Sequence, residues 1–74
     1  MSKAAVPSVF DVVAPDQPLE KYSIDREFIV VRKADNMVTV KDFFSGRQLT
    51  ASKKAFRVIR KGTNDEISFA QLPW

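Results

Sequence analysis

The side chains best equipped for chemistry in this chain are cations and aromatic rings, and both are tools of binding. Ten of the twelve basic residues fall between positions 26 and 61, the densest group being Lys53, Lys54, Arg57, Arg60 and Lys61. Such a stretch can neutralise nucleic-acid phosphates, each contact adding a salt-dependent increment of affinity. The same charges serve equally as a solvated surface, or as a guard against strand addition at sheet edges. Phe43 and Phe44, flanked by Lys41 and Arg47, are rings able to stack on a base or to anchor a protein partner. Neighbours on a strand point to opposite faces, so one of these two phenylalanines is expected outside the core, exposed or covered by a terminal segment. Trp74, following Phe69 and Leu72, either folds back on the domain or is presented to a partner. The residues expected to make contact are therefore Lys41, Phe43, Phe44, Arg47, the five-residue basic cluster and Trp74.

Bond-making chemistry has little to work with. The chain has no His and no Cys, so the commonest acid–base group near neutrality and the thiolate nucleophile are both missing. Ser2, Ser8, Ser23, Ser45, Ser52 and Ser68 have no imidazole to activate them. The carboxylates are scattered, and Asp65-Glu66 reads as a turn pair. Gly46 and Gly62 lie too far apart to cradle a phosphate. A zinc ion would find carboxylates alone, a donor set that structural zinc rarely uses. No enzymatic activity, cofactor or metal is expected.

The elements that carry these groups must come from a small chain. Its 74 residues make one domain, and a chain of this size buries only about 60% of its unfolded surface. Without disulfides, the core depends on the 45% hydrophobic content and on eight aromatic residues. Charge divides the sequence into three. Residues 1–25 hold two basic against four acidic groups, 26–61 ten against three, and 62–74 only Asp65 and Glu66. The first part is a proline-punctuated arm in which residues 9–13 read as an edge strand or as a flexible tail. Pro15 and Pro18 argue against a helix or a central strand over 14–18. The middle is the basic core, and 62–74 is a segment expected to pack on it. No signal-peptide core or membrane-length apolar run is present, so a soluble cytoplasmic protein is expected.

Within the core, residues 27–33 alternate as a strand, with Phe28 and Val30 on one face and Ile29 and Val31 on the other. Ala34-Asp35-Asn36 supplies turn chemistry, and residues 37–44 form the partner strand of an antiparallel hairpin. Ser45-Gly46 is the next turn, and 47–51 a third strand. Ser52 caps a single helical turn before a strand over 56–61. Residues 61–65 read as a loop and 66–69 as a last short strand. A real helix over 49–56 would give an α+β alternative.

This order resembles the small SH3-like barrel, in which a short helical turn precedes the final strand. The likeness runs over 28–59, where Val38-Thr39-Val40-Lys41-Asp42 leads through Ser45-Gly46 into Leu49, then Ser52-Lys53-Lys54 and Phe56. It is similar to small barrel proteins of bacterial and phage origin, including those compared with KOW-type transcription and translation modules. The Ala-Leu-Tyr-Asp-Tyr motif of peptide-binding SH3 domains is absent, so the resemblance carries a fold and no binding residues. It implies a mainly all-β antiparallel barrel of four to six strands with one short helical turn. The function expected is a non-enzymatic binding module that modulates a larger protein complex, in the manner of a phage accessory protein acting on host transcription machinery. Direct nucleic-acid binding and a structural role in an assembly are the alternatives.

Overall fold

Alternating β-branched and aromatic residues build a five-stranded sheet in the computed structural model, which describes residues 7–19 and 22–72. The strands are β1 (Asp11–Pro15), β2 (Phe28–Ala34), β3 (Met37–Asp42), β4 (Gln48–Ser52) and β5 (Phe56–Lys61). A 3-10 turn, Lys53–Ala55, joins β4 to β5, and a helix α1, Asn64–Ala70, follows. All neighbours are antiparallel, in the order β4-β3-β2-β1-β5. The mainly β fold read from the sequence is the fold observed.

One face of this sheet makes the main core. Val13, Phe28, Val30, Val38, Val40 and Phe56 are buried together, and Leu49, Ala51, Val58, Leu19 and Tyr22 pack around them. Residues of both outermost strands, β4 and β5, thus reach the same cluster, so the sheet must curl. Register shifts between Val30 and Arg32 in β2 and beside Val12 and Val13 in β1 supply the bends. Phe28 sits edge-on between Tyr22 (5.1 Å) and Phe56 (6.1 Å). Each fully buried valine or phenylalanine contributes about 1.5–3 kcal/mol.

Three elements differ from the sequence expectation. β1 is no edge strand or loose arm: it lies inside the sheet, between β2 and β5. Pro15 is tolerated because pairing with β2 stops at Val13, leaving only β5 beside the strand's end. Residues 66–69 are helical rather than extended. Thr63 accepts the Glu66 N–H while the Glu66 carboxylate accepts the Thr63 N–H, a reciprocal cap that starts α1. The chain enters α1 through Gly62, whose N–H donates to the Phe10 carbonyl at 2.9 Å. A Cβ there would lie 2.6 Å from that carbonyl oxygen and 3.1 Å from Ile29. Phe43 and Phe44 stand in a turn beyond β3, not on a strand.

Candidate functional site

β3 ends at Asp42, and the turn that follows is organised around that one carboxylate. Aspartate is a favoured turn-opening residue because its oxygens reach backbone N–H groups two and three positions on. Here the carboxylate accepts the N–H of Phe44 (3.0 Å), the N–H of Ser45 (3.4 Å) and the Ser45 hydroxyl (2.8 Å). The Arg26 guanidinium completes the set through Nε (2.9 Å) and Nη2 (2.6 Å). Gly46, at φ 77°, closes the turn by donating its N–H to the Asp42 carbonyl at 2.8 Å. Burial by itself pushes the Asp42 carboxyl up, yet Arg26, the Phe44 N–H and the Ser45 hydroxyl together outweigh it and hold the group at about 2.

The same guanidinium carries two rings. Arg26 lies 5.6 Å from the Tyr22 centroid and 5.0 Å from that of Phe44. Phe44 is nonetheless 87% exposed. A large apolar side chain is thus supported from beneath by a charge pair and left open to solvent above. Exposed Arg47 stands three residues on, and a shallow depression of about 600 Å³ runs along Ser45, Gly46, Arg47 and Gln48. Covering Phe44 against another apolar surface would contribute about 2 kcal/mol.

The other residues expected at the surface divide sharply. Lys41 is a correction: it is fully buried, with Nζ donating to the carbonyls of Phe69 (2.9 Å) and Leu72 (3.3 Å) at the end of α1. Its ammonium also lies 4.5 Å from the Phe69 ring centroid, and burial lowers its pKa. The cause is α1, whose C-terminal end lies over Lys41. Phe43 is half-buried and stacks on Phe69 at 5.4 Å. Arg57 donates to the carbonyls of Pro15 (2.6 Å) and Ile24 (3.0 Å), tying β5 to the loop after β1. Arg60 grips Glu66 with both terminal nitrogens and lies 3.7 Å from Glu27. That grip, with the Thr63 N–H, lowers the Glu66 carboxyl to about 2. Lys54 and Lys61 are exposed and Lys53 half-buried, and none forms an ion pair among the described residues. Trp74 lies outside the described residues.

Sequence reasoning missed Arg26, Tyr22 and Asp42 as the support of Phe44. Asp42 ahead of Phe43-Phe44-Ser45-Gly46 was a readable turn signal; the link to Arg26, sixteen positions earlier, had no local sign. Among the described residues no three His, Cys, Asp or Glu side chains gather to hold a metal. No helix among them is long and apolar enough to cross a membrane. Comparison with protein-family models, curated proteins and solved structures finds no match to this chain.

Proposed function

We propose that this chain is a non-enzymatic protein-binding module that docks on a larger partner through Phe44. The observation that carries this reading is a phenylalanine 87% exposed whose backbone N–H is held by Asp42 and whose ring lies 5.0 Å from the guanidinium of Arg26. Such rings are costly in water and are characteristic anchors of interfaces, where rigid aromatic and arginine groups dominate the energy. Arg26 and Arg47 beside it favour a partner whose apolar pocket is rimmed by carboxylates. The strand order, with a 3-10 turn before β5, supports a small SH3-like architecture, and the accessory role in the cytoplasm belongs to the same reading.

Direct nucleic-acid contact is the second reading, supported by the exposed ammonium groups of Lys54 and Lys61 with Arg47. Arg57 and Arg60 are committed to internal contacts, which reduces that surface. Affinity capture from nuclease-treated lysate, with the wild type and Phe44→Ala as baits, separates the two. A protein retained by the wild type and lost with a natively folded Phe44→Ala supports the anchor. Retention unchanged by Phe44→Ala, or capture abolished by nuclease, removes it.

A further inference from the structure

β4 is an outermost strand, and its free side offers backbone that nothing among the described residues pairs. Asp42 N–H donates to the Arg47 carbonyl and Lys53 N–H to the Asn36 carbonyl, each at 2.8 Å. These bonds set residues 47, 49, 51 and 53 in the hydrogen-bonded positions against β3. By the two-residue period of an antiparallel pair, Gln48 and Thr50 direct both N–H and C=O away from β3. The side chains agree: Thr50 and Thr39 face each other closely enough to share a hydrogen bond at 2.8 Å, as non-hydrogen-bonded pairs do.

Natural sheet edges are usually blunted by proline, charge or a bulge. Gln48–Ser52 has no proline and no charge, and its register with β3 runs without a shift. β5, the other outermost strand, carries Arg57, Arg60 and Lys61 and an irregular register beside β1. The cations near β4 stand at its two ends instead, with Arg47 before it and Lys53 and Lys54 after it. Along the inner face, Leu49 and Ala51 are only half-buried, leaving apolar area for a further strand to cover.

We propose that the β4 edge is a strand-addition site for an extended, acidic segment of a partner protein. Main-chain bonds to Gln48 and Thr50 supply the ladder, and carboxylates at the segment's ends meet Arg47, Lys53 and Lys54. A second copy of this chain fits less well. Two β4 strands paired antiparallel in the register of greatest overlap, centred on Thr50, place Arg47 opposite Lys53 of the copy at both ends. The inference rests on the protein-binding reading; it shares Arg47 and Gln48 with the surface beside Phe44 but does not use that ring.

The test uses a short synthetic peptide of alternating Val and Thr ended on both sides by Glu, with two controls. One control has Lys in place of Glu, and the other is N-methylated along one edge so that it cannot complete the ladder. The acidic peptide is expected to slow amide exchange at Gln48 and Thr50 in the wild type. Both controls should bind at least about tenfold more weakly, a difference of the size that a lost hydrogen bond or charge pair produces. Thr50→Pro removes an outward N–H that the β3 pairing does not use, and should abolish binding. Phe44→Ala should bind the peptide like the wild type, which separates this site from the anchor. Equal binding of all three peptides, or protection that maps away from Gln48 and Thr50, overturns the inference. So does a stable dimer of the chain alone with those two amides already protected.

Discussion

Asp42 holds five donors from three residues, and that work depends on its charge. Its carboxyl ionises at about 2 in the fold against an ordinary value of 3.8. A lowered carboxylate stabilises the folded state fully above its unfolded value, and the benefit is lost as the pH falls through the folded one. Asp42→Asn should therefore lose about 2 kcal/mol at neutral pH, and the gap from wild type should close between pH 4 and 2. Denaturant unfolding of both proteins across that range measures it, and a gap independent of pH would contradict the assignment. Gly62 is held to a different standard, that of space. A methyl group there must displace the Phe10 carbonyl, since 2.6 Å is too close for carbon against oxygen. Gly62→Ala should be destabilising by about 1–3 kcal/mol, the usual range for overpacking, readable as a lowered thermal midpoint.

At the scale of elements, the β2–β3 hairpin was readable in the sequence because Phe28, Val30, Val38 and Val40 repeat at period two around Ala34-Asp35-Asn36. The single turn after Ser52 was equally readable, and Ser52 does cap it by accepting the Lys54 N–H. β1 was not, because the prolines that argue against a central strand fall just where its pairing with β2 ends. The helix was hidden by its brevity. Thr63-Asn64-Asp65-Glu66 is a capping signature, but seven residues show too little periodicity to outvote a short apolar run. Missing α1 also misplaced Lys41, since the end of that helix covers a lysine expected at the surface. Lys41 in turn donates to two carbonyls at the helix end, sharing that of Phe69 with the Leu72 N–H. Lys41→Met should leave the sheet intact while amides near the C-terminal end of α1, Ala70 to Leu72, exchange severalfold faster. Unchanged exchange there would show that packing alone holds the helix.

Across the whole molecule, the basic surface suggested by composition is smaller than the count of cations implies. Lys41 is inside, Arg26 braces a turn, and Arg57 and Arg60 fasten β5 to the segments on either side. Four of the ten cations in 26–61 therefore help hold together a chain too small to rely on its core alone. What stands outside includes an aromatic ring braced by Arg26, the β4 edge with Arg47 and Lys54 near its ends, and, farther off, Arg32, Lys33 and Lys61. The sequence marked Phe44 as a candidate, but it could not distinguish it from Phe43, because their difference arises from a helix and an arginine remote in the chain.

The most direct measurement is photo-crosslinking in living cells with a benzophenone amino acid placed at position 44 and, separately, at position 54. Recognition through the aromatic turn predicts a discrete protein adduct from position 44 and none of comparable yield from 54. A nuclease-sensitive adduct from position 54, with nothing captured at 44, would contradict it.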